Sequence, residues 1–132
     1  MSTAVTKKLT PVLLVEEIEP CLPLWIDRLG WTKTVDVPEG EKIGFAILTK
    51  DGAEVMYQSW ASVEKDLAKP HRRPNGTSVG LFIEVSNLDD IVKRLKGVPL
   101  AMERRTTFYG MDEIGVTEAG GHMVIFAQPK AG

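Results

Sequence analysis

The chain has 132 residues, the size of a single domain, and folding can bury roughly two thirds of the surface that the unfolded chain exposes. Sixteen Lys and Arg against eighteen Asp and Glu give a net charge of −2, so no nucleic-acid or membrane partner is expected. A single cysteine, and the lack of a signal peptide or a long apolar run, predict a cytoplasmic protein without disulfides.

The first half of the chain predicts one helix and four strands. A helix is expected from Glu19-Pro20 to Gly30, because proline suits a first helical turn and apolar residues follow at helical spacing. Asp51-Gly52 is typical of a two-residue hairpin turn, since both residues tolerate positive φ angles. The predicted strands are 9–15, 31–37, 43–49 and 53–59. The order of elements in this unit is therefore βαβββ.

A linker is expected over 61–77, with a short helix at 61–69 and a basic, proline-rich loop at 70–76. The loop contains His71, Arg72 and Arg73. Three charges without interleaved aromatic residues are typical of a solvated loop and not of a nucleic-acid site.

The second half of the chain repeats the first. A helix is expected over 88–96, with Asn87 as its N-cap and Gly97 as its stop. The predicted strands are 79–85, 100–106, 109–116 and 122–128. A shift of 69 residues places Met56 on Ile125 and the neighbouring apolar residues on one another. We therefore predict one α+β domain over 1–132, built from tandem βαβββ units at 9–60 and 78–128.

Four stretches of the sequence resemble motifs of a known family. They are Leu24-Trp25-Ile26-Asp27-Arg28-Leu29-Gly30-Trp31 (F-Y-x-x-x-L-G-F), Phe82-Ile83-Glu84-Val85-Ser86-Asn87-Leu88-Asp89 (a strand ending in V-x-D-L-D), Phe108-Tyr109-Gly110-Met111-Asp112-Glu113-Ile114, and Glu118-Ala119-Gly120-Gly121-His122 (D-P-D-G-N/H). In order and spacing they resemble the vicinal oxygen chelate superfamily, which contains glyoxalase I, the bleomycin-resistance and fosfomycin-resistance proteins and the extradiol dioxygenases. The resemblance implies two half-barrel sheets around a cavity, with the helices outside, and favours a homodimer.

The family's metal ligands are His and Glu side chains on the first and last strand of each unit. At those positions this chain has Thr10, Met56, Gly80 (or Ser78) and Ile125. None of these supplies an imidazole or a carboxylate, so neither a metal nor any other cofactor is expected. A shift of register by two residues would bring Glu54 to one of the positions, but one carboxylate does not make a chelate.

If Met56 and Ile125 face the cavity, strand alternation sends Val55, Tyr57 and Val124 beneath the helices. The pocket that follows is mostly apolar, with methionines and a few polar groups, as is typical of small-molecule sites. Further candidates are Phe45 and Ile47 or their alternates Ala46 and Leu48, together with Met123 and Ala127. The predicted ligand-binding residues are Val12, Leu14, Glu54, Met56, Gln58, Trp60, Phe82, Glu84, Tyr109, Met111, Glu113 and Ile125. A plain apolar core is the competing interpretation for most of them.

The polar candidates need separate interpretations. Glu84 and Glu113 are candidate acid/base or ligand-orienting groups, but pairing with Arg72, Arg73, Arg104 or Arg105 would make them structural. Trp60 is expected at a pocket rim or in a dimer contact. An exposed Cys21 in a first helical turn would have a lowered pKa, although an inert thiol is the simpler interpretation.

The favoured hypothesis is metal-independent sequestration of a small aromatic or amphipathic molecule, as the resemblance to bleomycin-resistance proteins implies. The alternative is an enzyme: a glyoxalase-like lyase or isomerase, or a dioxygenase, with a metal held by Glu54, Glu84 and Glu113. A metal-free acid/base enzyme that uses Glu84 or Glu113 is the third possibility.

Overall fold

The computed structural model describes residues 3–66 and 79–130. The first unit contains β1 (Val12–Val15), β2 (Thr32–Glu39), β3 (Lys42–Lys50), β4 (Ala53–Ser59) and helix α1 (Trp60–Asp66). The second contains β5 (Gly80–Glu84), helix α2 (Leu88–Arg94), β6 (Leu100–Thr106), β7 (Met111–Thr117) and β8 (Met123–Pro129). The predicted loop at 70–76, with its basic residues, lies outside the described residues.

The strands form two four-stranded mixed sheets with matching topology, ordered β1-β4-β3-β2 and β5-β8-β7-β6. In each sheet the first strand runs parallel to the last, and the remaining pairs are antiparallel. Met56 pairs with Val12, and its counterpart Ile125 pairs with Phe82. The α+β fold predicted from the sequence repeat is therefore confirmed, although the sheets do not close into a barrel.

The core lies on the helix-covered side of the sheets. Val55 and Tyr57 of β4, and Val124 and Phe126 of β8, are at most 2% exposed. Trp25 packs edge-to-face on Trp31, with ring centroids 4.8 Å apart. The core side chains of both sheets form a single buried cluster. Strand alternation therefore divides each sheet into a core face and an opposite face, as expected from the sequence.

The predicted helix between β1 and β2 forms, but it is not a regular α-helix. A 3₁₀ turn at Glu19–Cys21 is followed by a π-helical turn at Leu24–Arg28. Leu22 and Pro23 between them are helical as well, so the helical segment is continuous and only its hydrogen-bond pattern changes along the way. Trp25 and Leu29 are buried in the core, as their helical spacing predicts. The β1 strand also begins at Val12 and not at 9.

Local turn chemistry behaves as the sequence predicts. Asp51 and Gly52 have φ angles of 50° and 84°, which place both in the left-handed region that a tight hairpin turn requires. The side chain of Asn87 accepts a 3.1 Å hydrogen bond from the Asp90 amide and so caps α2. Gly97 follows that helix with a φ of 85°. The predicted positions of the hairpin and of this helix are thereby confirmed.

Candidate functional site

Each sheet has a face turned away from the core, which we call its open face. Strand register and alternation place side chains from equivalent positions on the open face of each sheet. The first open face carries Val12, Leu14, Val35, Val37, Phe45, Ile47, Glu54, Met56 and Gln58. The second carries Phe82, Glu84, Met102, Arg105, Met111, Glu113, Gly115, Met123, Ile125 and Ala127.

Large apolar side chains remain accessible on both open faces. Phe82 is 54% exposed, Val37 48% and Val12 43%, whereas Val55 and Val124 on the core faces are at most 2% exposed. Scattered exposed apolar residues are ordinary, but several on one face of one sheet indicate a surface that a ligand or another chain covers.

The polar groups of the first open face are engaged with neighbouring side chains. Glu54 accepts a 3.1 Å hydrogen bond from the Thr10 hydroxyl and forms a 2.8 Å ion pair with Lys8. The hydrogen bond from Lys8 is the main cause that holds the pKa of Glu54 below its usual value, so the carboxylate is charged at neutral pH. Gln58 donates a 3.2 Å hydrogen bond to the hydroxyl of Ser62 in α1.

The second open face holds a buried carboxylate. Glu113 is 1% exposed, and both of its oxygens have partners: the Tyr109 hydroxyl donates a 2.6 Å hydrogen bond to one, and Arg105 lies 3.4 Å from the other. The bond to this carboxylate raises the pKa of Tyr109. Among the expected arginine partners it is Arg105 that pairs with Glu113, while Arg104 bonds to Asp89 at 2.7 Å.

Side chains on the second open face lie in two rows across the four strands. One row is polar and ends in a carboxylate on one side and a guanidinium on the other. Its members are successive cross-strand neighbours: Glu84, Ala127, Glu113 and Arg105. The adjacent row is apolar and comprises Phe82, Ile125, Gly115 and Met102. A β carbon added at Gly115 would lie 3.3 Å from that of Met102, so this glycine gives Met102 room over the sheet.

The structure places some of the sequence-predicted residues in the core and others on the open faces. Ala46 and Leu48 are fully buried in the core, which assigns the open face to Phe45 and Ile47. Trp60 is only 7% exposed at the start of α1. Glu84 is exposed and has no ion pair within the described chain.

Sequence reasoning missed Met102 and Arg105, which reach the open face through an irregularity of β6. The valines of β2 at 35 and 37 were missed as well. Their period-two spacing is a signal that could have identified them.

The residues at the family's metal positions do not fit a metal. Met56 and Ile125 occupy the last strand of each sheet, and they offer a thioether and a hydrocarbon in place of carboxylates. Within residues 3–66 and 79–130, no three His, Cys, Asp or Glu side chains come close enough together to hold an ion. The alternative set of Glu54, Glu84 and Glu113 therefore does not converge.

A network of buried polar groups joins the two units on their core side. Tyr57 donates a 2.6 Å hydrogen bond to Glu118 and accepts one of 3.0 Å from the indole of Trp25. Glu118 also accepts a 2.6 Å bond from the His122 amide. Burial, followed by the Glu118 charge, raises the pKa of the Cys21 thiol to about 12. The condition for a lowered thiol pKa, exposure in the first helical turn, is therefore not met, and the buried Cys21 beside a carboxylate agrees with the interpretation as an inert thiol.

A concave region between the units is lined by core-side residues of the second sheet and also by Glu84. This cleft of about 370 Å³ has Trp31, Ile83, Ile91 and Phe126 on its apolar wall, and Lys50, Asp51, Glu84 and Asp90 among its polar lining residues. Separately, none of the helices in the described chain is long and apolar enough to span a membrane.

The comparisons with solved structures identify the fold. The structure of a glyoxalase/bleomycin resistance protein/dioxygenase from Nocardioides matches with a TM-score of 0.75 at 17% identity, over 98% of this chain and 88% of that one. A glyoxalase-related enzyme from Clostridium phytofermentans matches with a TM-score of 0.72 at 14% identity, over 96% and 97%. TnmS3, an antibiotic binding protein from Streptomyces sp. CB03234, matches with a TM-score of 0.70 at 17% identity, over 98% and 100%.

No protein-family model and no curated protein matches the chain. The chain nevertheless has the fold of the glyoxalase, bleomycin-resistance and dioxygenase proteins, the vicinal oxygen chelate fold. The resemblance carried by its sequence motifs is thereby confirmed at the level of the fold.

Proposed function

We propose that the protein binds a small aromatic or amphipathic molecule on its open faces and sequesters it without a metal. The observation that carries this proposal is the contrast between the two sides of each sheet. Residues such as Tyr57 and Phe126 pack the core faces at 2% exposure or less, while Phe82, Val12 and Met123 remain 38–54% exposed on the open faces. Removing 100 Å² of apolar surface from water contributes about 2.5 kcal/mol, so a flat ring system that covers these side chains gains useful affinity.

The composition of the open faces suits an adaptable pocket. Methionines 56, 102, 111 and 123 all lie on them, and flexible thioether side chains conform to differently shaped apolar ligands. That TnmS3, which shares the fold, is an antibiotic binding protein supports the same class of function.

A second copy of the chain completes the pocket in this proposal. Two open faces brought together would bury the exposed valines and Phe82 and would enclose a ligand on both sides. Native mass spectrometry tests this step, with a dimer as the expected state. The proposal also places the protein in the cytoplasm, where its single cysteine needs no partner.

Equilibrium dialysis against a panel of aromatic and amphipathic antibiotics tests binding. Phe82→Ala should weaken the best ligand about tenfold, since this exposed ring lies in the apolar row. Leu100→Ala is the matched control: its residue is 46% exposed but pairs with Val116, on the core side of the same sheet. The proposal fails if no ligand binds more tightly than millimolar, or if both variants lose affinity equally.

The enzymatic alternative, a lyase, isomerase or dioxygenase of glyoxalase type, gains no support from Glu54 or Glu113. Glu113 already accepts from Tyr109 and Arg105, and Glu54 is paired with Lys8, so neither is a free base. Sequestration requires that the ligand be recovered chemically unchanged when the complex is denatured. Stoichiometric metal retained through dialysis, together with an altered ligand, would instead favour the enzyme.

A further inference from the structure

A β-bulge in β6 determines which arginine faces the candidate site. Met102 pairs with Gly115 and Arg105 with Glu113, so three steps along β6 match two along β7. In a regular strand, alternation would have placed Arg104 on the open face beside Met102. The irregularity instead turns Arg105 onto the open face and leaves Arg104 to bond with Asp89 of α2.

Arg105 is held near Glu113 but is not saturated by it. The 3.4 Å contact is longer than the 2.7–2.9 Å of a tight charge-assisted bond, whereas Tyr109 approaches the same carboxylate to 2.6 Å. The Arg105 side chain is 56% exposed, and Glu113 is its single hydrogen-bond partner within the described chain. Its other N–H groups are therefore available to a ligand.

The buried carboxylate, in contrast, is out of reach. Glu113 is 1% exposed, and both of its oxygens are occupied, so a cationic ligand would have to displace Tyr109 or Arg105 to meet it. The accessible charge at this end of the polar row is the guanidinium. Glu84, the other charge in the row, lies three strands away, about 14 Å between Cα atoms.

We propose that the ligand carries an anionic group, a carboxylate, sulfonate or phosphate, which Arg105 receives while the apolar body covers Met102, Ile125 and Phe82. The planar fork of donors in a guanidinium matches two oxygens of such a group. The apolar row lies directly beside the polar row, so one amphiphile spans both. This inference rests on the proposed function, and it gives to Arg105 the ligand-orienting role that the sequence suggested for Glu113.

Two fluorescent probes with the same ring system test the charge preference. 8-Anilinonaphthalene-1-sulfonate carries an anion, and N-phenyl-1-naphthylamine lacks it. Arg105→Met should weaken binding of the sulfonate about tenfold and change binding of the neutral amine less than twofold. Arg104→Met is the matched control: it removes the same charge from the neighbouring residue and should leave both affinities unchanged.

Arg105→Lys guards against misfolding, because it keeps the charge beside Glu113 while losing the forked donors; about a threefold loss for the sulfonate is expected. Shifts of the methyl resonances of Met102 and Met123 locate the probes on the second open face. Equal losses in the Arg104 and Arg105 variants would overturn the inference, as would binding of the amine alone; in the latter case the proposed function stands. If neither probe binds the natural protein, both proposals fall.

Discussion

The hydroxyl of Tyr57 donates a 2.6 Å hydrogen bond to the carboxylate of Glu118, and this contact joins β4 of the first sheet to the β7–β8 turn of the second. Both side chains are at most 3% exposed. The same hydroxyl accepts a bond from Trp25, so three residues far apart in the sequence depend on a single oxygen atom. Burial and the adjacent carboxylate raise the pKa of Tyr57, which keeps it protonated as the donor.

Replacing Tyr57 by Phe should lower the free energy of unfolding by about 2–3 kcal/mol, because a buried carboxylate and a buried indole N–H both lose a partner. Urea denaturation measures the change. Tyr109→Phe is the comparison: it removes a single bond from a carboxylate that keeps Arg105, so a smaller loss than for Tyr57→Phe is expected. A loss below 0.5 kcal/mol for Tyr57→Phe would show that the network between the units contributes little.

Stability should fall at alkaline pH because of Cys21. Burial and Glu118 raise the pKa of its thiol from 9.0 to about 12, so between these values the unfolded chain releases a proton that the folded chain retains. The free energy of unfolding from this group is constant below pH 9 and then falls by about 1.4 kcal/mol per pH unit up to pH 12.

Urea denaturation from pH 7 to 10.5 tests this slope. Cys21→Ala removes the thiol and should flatten the profile between pH 9 and 10, where Tyr57 contributes little. An equal slope in the variant and the natural protein would contradict the assignment. In the folded protein a thiol reagent should react with Cys21 only after denaturant is added, because the side chain is 1% exposed.

The two tyrosines of the chain should resist ionisation together. Tyr57 is buried beside Glu118, and Tyr109 donates to Glu113; both contacts raise the pKa of the phenol. An ultraviolet titration at 295 nm should therefore show little tyrosinate at pH 10, the ordinary pKa.

Glu113→Gln removes the charge that Tyr109 faces, so half of the tyrosine signal should move to lower pH. The tyrosine signal of Glu84→Gln, which changes a carboxylate on the same face that has no ion pair among residues 3–66 and 79–130, should titrate like that of the natural protein. If the Glu113 variant shows no shift, the Tyr109–Glu113 bond is not maintained in solution.

Gly120→Ala should disrupt the contact between the units. A β carbon at this position would overlap the Val15 side chain of β1 and would lie 3.0 Å from a Glu118 oxygen. We expect a loss of about 1–3 kcal/mol in the free energy of unfolding, measured in urea. Ala119→Ser changes the exposed neighbour in the same turn and should cost less than 0.5 kcal/mol. An unchanged free energy of unfolding in the Gly120 variant would mean that the contact between β1 and the β7–β8 turn does not stabilise the protein.

The fold could be predicted because its signals are local and repeated. A glycine before each final strand, the Asp51-Gly52 turn and the alternation around Met56 and Ile125 depend on residues next to one another in the chain. The helix between β1 and β2 was predicted from its start and spacing, but its 3₁₀ and π turns were not. Apolar spacing does not distinguish these turns from a regular α-helix, because the hydrogen-bond pattern depends on what the segment packs against.

The candidate site, like the fold, could be predicted from the sequence only in part. Alternation alone assigned Met56 and Phe82 to one face, yet it could not distinguish Arg104 from Arg105. A β-bulge is fixed by the pairing of β6 with β7 and leaves no mark in the spacing of residues within β6.

The amino-acid sequence by itself thus determined the two βαβββ units and the side of each strand that meets the core, because backbone geometry sets the period of a strand wherever it lies. Only the tertiary structure decided that Glu113 is saturated, that Arg105 is accessible, and that Glu118 and Cys21 are buried together between the units. Those outcomes depend on which side chains meet from distant parts of the chain, as Tyr57 and Glu118 do across 61 residues. These contacts set the solvation and the partners of each ionisable group, and thereby its charge and its accessibility to a ligand.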